Sequence, residues 1–160
     1  MPTSLGGHLP PPLQQLFAGR DLASGVGLTF LLLTVDADGW PHLAMLSVGE
    51  LLLDDDRTLR AGLWLHSTAT RNLTRERRGV LALVHGGAGY YLRLRAQRGP
   101  DLDLGDDGRL AYFDLTVEDV LEDAVNYAEL TSGMTFRLHH PEQVLPRWQR
   151  TVDALRTAAV

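Results

Sequence analysis

Short apolar segments of strand length, separated by strong turn signals, constrain this chain more than any other feature. Some alternate apolar and polar residues, as a strand with one buried face does, and others are apolar throughout. These segments are Leu28–Val35, Pro41–Val48, Leu59–Leu65, Val80–Val84, Tyr90–Gln97, Leu110–Val117 and Met134–Leu138. Between them, Asp36–Gly39, Asp54–Arg57 and His85–Gly89 have the Asp- and Gly-rich composition of tight turns. Six or seven strands joined in sequence by such turns predict an antiparallel barrel, not a parallel α/β sheet.

The pattern inside each segment also predicts which side chains face the core. The continuous apolar run Leu28–Val35 predicts a strand that is buried on both faces. In Pro41–Val48, Leu43 and Met45 fall on one face, and His42, Ala44 and Leu46 fall on the other. The stretch Glu118–Asn126 fits either a long strand with a bulge or a helical turn, and both interpretations stay open.

Three short helices flank the predicted strands. Prolines open Pro10–Ala18 near the N-terminus, and Ser67–Thr70 have the residues of a helix start before the basic stretch Arg71–Arg78. Pro141–Leu155 is a closing amphipathic helix in which Pro146 predicts a break or a restart. We therefore expect one domain over residues 1–160, with a helical lead-in over 1–24 and the closing helix over 141–158.

Two residue types that are absent exclude several kinds of chemistry. The chain has no cysteine, which excludes disulfides, thiol nucleophiles and cysteine-ligated metals. It also has no lysine, which excludes Schiff-base chemistry and the P-loop of nucleotide-binding proteins. Any bound anion must therefore be held by arginine, hydroxyl groups or backbone N–H groups.

The overall charge, the apolar runs and the N-terminal stretch limit which partners and which cellular compartment we expect. A net charge of −5 argues against a nucleic-acid surface. The longest apolar run is too short to cross a bilayer, so no membrane association is predicted. The first residues lack the basic and apolar regions of a secretory signal, and we expect a cytoplasmic protein.

One segment has the chemistry of an anion site. Hydrolytic and metal-binding arrangements are not evident, because there is no G-x-S-x-G motif and the six histidines fit no metal-ligand spacing. By contrast, the strand ending at Leu65 leads directly into a helix start with three hydroxyl groups and Arg71. Free N–H groups, hydroxyls and the helix dipole favour an anion there. An ordinary helix cap followed by a solvated basic face is the alternative.

The order of these segments resembles a known family. The stretches VDADGWPHLAML (35–46), STATRNLTRERRGVLALV (67–84), YYLRLRAQ (90–97) and ELTSGMTFRL (129–138) together cover most of the chain. They resemble the FMN-binding split-barrel proteins of the pyridoxamine 5′-phosphate oxidase-like family. The resemblance implies a mainly β (α+β) fold: a six-stranded antiparallel split β-barrel with short flanking helices, assembled as a homodimer with FMN at the subunit interface.

The resemblance also implies which residues hold the cofactor. The strand 42–47 would run beside the flavin ring, residues 66–71 would hold its phosphate, and Arg93 and Tyr91 are candidates for the interface or the flavin edge. The implied cofactor-binding set is His42, Ala44, Leu46, Ser47, Trp64, His66, Ser67, Thr68, Thr70, Arg71 and Arg93. Many members have an S-R-K-type segment where this chain has Ser67–Ala69. Either Arg71, Thr68 and Thr70 replace that lysine, or the barrel has weakened or lost its flavin.

The leading hypothesis from sequence is a flavin-binding oxidoreductase of the family, with a small-molecule substrate and no catalytic residue that can be named. A deazaflavin in place of FMN is a variant of the same hypothesis. A second hypothesis is a haem-binding or haem-handling module on the same barrel, with His66, His85 or His139 as axial ligand. A third is a small-molecule-binding or dimerisation domain without a cofactor.

Overall fold

The computed structural model describes all 160 residues, in which strands predominate. The elements, in chain order, are β1 (Thr3–Ser4), α1 (Pro11–Leu16), a 3₁₀ turn (Leu22–Gly25), β2 (Phe30–Val35), β3 (Pro41–Leu46), β4 (Leu51–Asp55), β5 (Thr58–Trp64), α2 (Thr68–Glu76), β6 (Arg78–His85), β7 (Ala88–Arg98), β8 (Leu102–Asp103), a 3₁₀ turn (Gly105–Asp107), β9 (Arg109–Asp123) and α3 (Pro141–Thr157). No helix is long and apolar enough to span a membrane.

One antiparallel sheet forms the body of the protein and confirms the predicted split-barrel class. Its main path is β3-β2-β6-β7-β9-β5-β4, and β1 and β8 pair additionally with β9. The path has one strand more than the predicted six because Leu51–Asp55 pairs with β5 as a strand of its own. β3 and β4 lie at opposite ends of this path, yet only residues 47–50 connect them in the chain. The sheet must therefore curl until its two edges meet near that turn, without hydrogen bonds across the split.

The interior of the curled sheet is the hydrophobic core. Along β7, Leu92, Leu94 and Ala96 are buried, whereas Arg93 and Arg95 are exposed, as the alternation predicted. The continuous run in β2 behaves differently, since Leu32 is fully buried but Leu31 and Leu33 are only half-buried. The prediction of burial on both faces of β2 is thus correct for the inner face only.

The β2–β3 hairpin forms as its turn residues predict. The Oδ1 atom of Asp36 accepts hydrogen bonds from the backbone N–H groups of Asp38 and Trp40, each at 2.9 Å. Gly39 has a φ of 85°, in the left-handed region that a glycine adopts without steric cost. The turn therefore sets the register in which Thr34 lies opposite His42.

The ambiguous stretch after Val117 is a strand with a bulge. Leu94 pairs with Val117 and Arg93 pairs with Asp119, so Glu118 is the extra residue on β9. β9 continues to Asp123 because it pairs with β7 up to Gly89. The helical alternative for this stretch is wrong.

The predicted strand Met134–Leu138 is also wrong, because residues 124–140 form no regular strand or helix. Phe136 and Leu138 are half-buried and alternate with exposed neighbours, which explains the strand-like pattern. Phe136 packs edge-on against Trp148, with ring centroids 6.3 Å apart. Contact with a helix produced the alternation here, and no neighbouring strand provides a ladder of hydrogen bonds.

The predicted break at Pro146 does not occur, and α3 runs through this residue to Thr157. A proline removes one N–H donor from the helix, here the donor that would reach the carbonyl of Glu142. Beyond it, Trp148, Thr151, Val152 and Leu155 are all buried against the sheet. Packing of these residues compensates for one missing hydrogen bond near the start of the helix.

Candidate functional site

The start of α2 is a capped helix terminus whose hydroxyl groups are partly used inside the protein. The Oγ atom of Ser67 accepts a hydrogen bond from the N–H of Thr70 at 3.1 Å and donates one to Thr70 Oγ1 at 3.0 Å. Thr70, which is 2% exposed, donates in turn to the carbonyl of Trp64 at 2.7 Å. Ser67 and Thr70 thus bind the end of β5 to the first turn of the helix.

The groups that remain available at this terminus suit an anion. The N–H groups of Thr68 and Ala69 begin the helix and have no acceptor in the protein. Arg71 is exposed, and its guanidinium donates to the carbonyl of His66 at 2.7 Å and to Thr68 Oγ1 at 3.1 Å. No carboxylate forms an ion pair with Arg71. Its charge is therefore oriented at the helix start and not neutralised by a protein group.

Replacing Ser67 with alanine should lower the free energy of unfolding by about 1 kcal/mol, because Ser67 is the N-cap of α2. Urea denaturation followed by circular dichroism measures this change. The matched control is Thr68→Ala, which removes a hydroxyl that caps nothing and should change stability by less than about 0.5 kcal/mol. Equal losses in the two variants would contradict the assignment of the cap to Ser67.

Strand β3 lies beside this helix start. His42 is the partner of Thr34 in the β2–β3 ladder, and Thr34 Oγ1 accepts a hydrogen bond from Asn72 of α2 at 2.9 Å. Asn72 immediately follows Arg71, and α2 contacts both β2 and β3. The two halves of the predicted site, β3 and the helix start, therefore meet in the fold although about 25 residues separate them in the chain.

The predicted β3 residues face inward, toward the core. His42, Ala44 and Leu46 lie opposite Thr34, Leu32 and Phe30, all three of which are buried. His42 and Ala44 are half-buried, and Leu46 and Ser47 are buried.

The outward face of the same strand carries Leu43 and Met45, with exposures of 43% and 63%. Neither residue is in the sequence-based set, since alternation separates the two faces of a strand without saying which one meets a ligand.

The remaining candidates are spread over the surface. Trp64 ends β5 and is 75% exposed, and His66 is exposed in the following turn. Arg93 projects from the outer face of β7 and lines a separate cleft with residues of β2 and β6. Tyr91 donates a hydrogen bond to Asp123 at 2.6 Å, which raises the pKa of its hydroxyl. A single protomer therefore does not bring Arg93 together with the helix start in one cavity.

The turn 47–50 forms a further polar site that the sequence reasoning missed. Glu50 Oε2 accepts hydrogen bonds from both the N–H and the hydroxyl of Ser47, each at 2.5 Å. Burial raises the pKa of the Glu50 carboxyl, and the bonds from Ser47 and the charge of Arg147 reduce this shift. A single charged residue within the otherwise uncharged stretch 45–53 is the signal that could have identified it.

Comparison with known proteins identifies the family of this chain. No protein-family model matches the chain. The uncharacterized protein YclD of Bacillus subtilis is 37% identical over 144 residues, which are 90% of this chain and 93% of YclD. The chain belongs to the YclD family.

Solved structures extend this family assignment to the fold. A variant of HupZ from Group A Streptococcus has a TM-score of 0.56 and 16% identity, over 71% of this chain and 98% of HupZ. A "putative pyridoxamine 5′-phosphate oxidase" from Lactobacillus delbrueckii has a TM-score of 0.56 and 20% identity, over 73% and 97% of the two chains. This YclD-family protein thus has the split-barrel fold of the pyridoxamine 5′-phosphate oxidase-like proteins, which confirms the fold that the resemblance in its sequence implied.

Three surfaces of this YclD-family protein can therefore contact a ligand. The first is the start of α2 with Arg71, the second is the apolar outer face of β3, and the third is the split of the barrel at Glu50. α2 contacts both β2 and β3, and Asn72 reaches Thr34 on the inward face of the β2–β3 hairpin. The end of β3 leads directly into residues 47–50, which form the third surface.

Proposed function

We propose that this protein binds FMN at the interface of a homodimer and acts as an oxidoreductase on a small-molecule substrate. The observation that carries the proposal is Arg71, which has no carboxylate partner and lies beside two free N–H groups at the start of α2. When bound, FMN would supply the hydride and electron transfer, and the protein would supply binding and orientation.

The helix start fits the phosphate of such a cofactor. Two backbone N–H groups, the Thr68 hydroxyl and a guanidinium converge at the positive end of the helix dipole. Hydrogen bonds from an arginine to a phosphate are charge-assisted, so Arg71 can take the role of the absent lysine. Ser67 and Thr70 would act indirectly, by fixing the helix start through their mutual hydrogen bonds.

The outer face of β3 is the proposed contact surface for the flavin ring and for the second subunit. β3 is an edge strand paired only with β2, and it exposes Leu43 and Met45. Tyr127, Leu130 and Met134, in the irregular segment 124–140, are exposed as well. Exposed apolar groups on an edge strand favour association, and a second subunit would supply the other wall of a flavin site. Arg93, which lines a different cleft from the helix start within one protomer, would then face the cofactor of the other.

The deciding measurement is an absorbance spectrum of the protein after FMN is added and the excess is removed by gel filtration. Retained flavin bands support the proposal, and a colourless protein contradicts it. A Soret band would instead indicate haem, and retention of a deazaflavin in preference to FMN would change only the cofactor.

Replacing Arg71 with alanine should weaken FMN binding by roughly 10- to 100-fold, because a hydrogen bond to a charged group contributes about 1.5–3 kcal/mol. Quenching of FMN fluorescence during titration measures the dissociation constant directly. The matched control is Arg57→Ala, an exposed arginine without a carboxylate partner in the β4–β5 turn, which should leave affinity unchanged. If both variants bind FMN as the wild type does, the phosphate is not at the start of α2.

A further inference from the structure

The split of the barrel brings together two charged groups and an apolar cleft. Residues 47–50 link β3 to β4, the two ends of the strand path, and this turn is held by Trp148 of α3. Clefts open on both sides of Trp148, and both are also lined by Glu50 and Arg147. These three residues come from two chain segments almost 100 residues apart.

One carboxyl oxygen of Glu50 accepts hydrogen bonds from the protein, and the other does not. Oε2 accepts both hydrogen bonds from Ser47, and Oε1 has no hydrogen-bond partner in the protein. Oε1 is not fully buried, and Glu50 lines both clefts. The turn therefore presents one carboxyl oxygen in a fixed position.

Arg147 is available for an anion. Its guanidinium makes no ion pair within 4.0 Å and no hydrogen bond to the protein. Of the other charged groups that line the smaller cleft, Asp107 is paired with Arg150, and Arg109 is 3.7 Å from Asp101. Arg147 is thus the cation in these clefts that lacks a carboxylate partner.

The larger cleft has the size and lining of a small-molecule site. Its volume is about 560 Å³, and ligand sites usually fall between about 300 and 1,000 Å³. Met45 and Leu46 at the end of β3, together with Phe136 and Val144, form apolar walls. Trp148 and Phe136 present aromatic surface to the same space.

We propose that this cleft binds an organic acid with an aromatic or similarly flat apolar body, its carboxylate paired with Arg147 and hydrogen-bonded to Glu50. The body packs between the β3 end and Phe136 and Trp148. The proposal deepens the function proposed above, since the cleft begins where the β3 strand ends and would hold the substrate beside the flavin.

The protonation state of Glu50 should make ligand binding depend on pH. Burial raises the pKa of Glu50, so the carboxyl is neutral below this raised pKa and can donate a hydrogen bond to the ligand. Above it, the charged carboxylate repels an anion. The groups around it are Ser47 on its own turn, Arg147 on α3, and Asp107 and Arg109 across the smaller cleft.

Calorimetric titration of the flavin-free protein with three matched probes tests the proposal. The probes are 2-naphthoate, its neutral amide and the cationic 2-naphthylmethylamine. We expect naphthoate to bind most tightly, at least about tenfold tighter than the cation. Absence of binding by all three, or a preference for the cation, would overturn the proposal.

Two variants separate the roles of the charged residues. Arg147→Met should weaken naphthoate binding about tenfold and leave the amide almost unaffected, whereas Arg137→Met, an exposed arginine outside the cleft, should change neither. Wild-type affinity for naphthoate should fall as the pH rises through the raised pKa of Glu50, and Glu50→Gln should remove this dependence. An unchanged pH profile in the Glu50→Gln protein would refute the role of Glu50.

These measurements do not require FMN, so their failure is distinguishable from failure of the proposed function. A protein that retains FMN but ignores naphthoate has a flavin site without this substrate cleft. A protein that binds naphthoate at Arg147 but not FMN has the cleft without the flavin, and then the proposed oxidoreductase function is wrong.

Discussion

Gly49→Ala should destabilise the protein by about 3 kcal/mol and lower its Tm by roughly 10 °C, a large effect for one methyl group. A Cβ built on Gly49 would lie 2.2 Å from Cγ of Trp148. Cγ is the attachment point of the indole, so rotation about χ2 leaves it in place, and a change of χ1 would remove the buried ring from its packing. The added methyl must instead displace α3, whose Trp148, Val152 and Leu155 are buried. Thermal and urea denaturation measure the loss.

Two comparisons separate this steric effect from backbone strain. Gly39→Ala introduces a methyl with no atom within 4 Å, but at a φ of 85°, and should cost only about 1–2 kcal/mol. In a Trp148→Leu background, Gly49→Ala should cost much less than it does alone, which a double-mutant cycle detects. If the two substitutions are simply additive, contact between Gly49 and the indole is not the cause.

Met45→Glu should weaken the proposed homodimer by about 100-fold or more, because an unpaired charge buried at an interface costs about 3–5 kcal/mol. Met45 is 63% exposed on the edge strand β3, so the substitution should leave the protomer folded. Light scattering coupled to gel filtration at micromolar concentration should show a dimer for the wild type and a monomer for the variant. FMN retention should fall in parallel, because the site would lose its second wall.

The matched control is Val160→Glu, which places the same charge at a residue 48% exposed near the C-terminus. This variant should remain dimeric and retain FMN. A monomeric wild type would refute the homodimer, and a dimeric Met45→Glu protein would locate the interface away from β3. In the second case, the flavin site would have to be sought on another surface.

Local sequence pattern predicted most of the strands because alternation depends mainly on which side faces the core. β5 and β7 carry their apolar residues at every second position, and Leu59, Ala61, Leu92 and Leu94 are buried accordingly. The same reasoning failed for Met134–Leu138, where Phe136 alternates in burial because it touches Trp148. A period of two reports burial on one side and does not report a hydrogen-bonded neighbour.

The site was predictable where a local motif determines the geometry. Ser67 and Thr70 were assigned to a helix start from the residue types alone, and Ser67 caps the helix. That assignment could not distinguish hydroxyls consumed by capping, as in Thr70, from groups left for a ligand, as in Arg71. Thr70 is consumed because its hydroxyl donates to the carbonyl of Trp64, and Arg71 is left for a ligand because no carboxylate pairs with it. Only the folded chain determines both facts.

By itself, the sequence determined the fold class, the hairpins and the capped start of α2, because each depends on residues within a few positions of one another. The tertiary structure alone decided which face of β3 is exposed, that α3 continues through Pro146, and that Glu50 and Arg147 line the same clefts beside Trp148. These features arise where the two edges of the sheet meet α3. Residues almost 100 positions apart are brought together there by packing, and no local pattern encodes that contact.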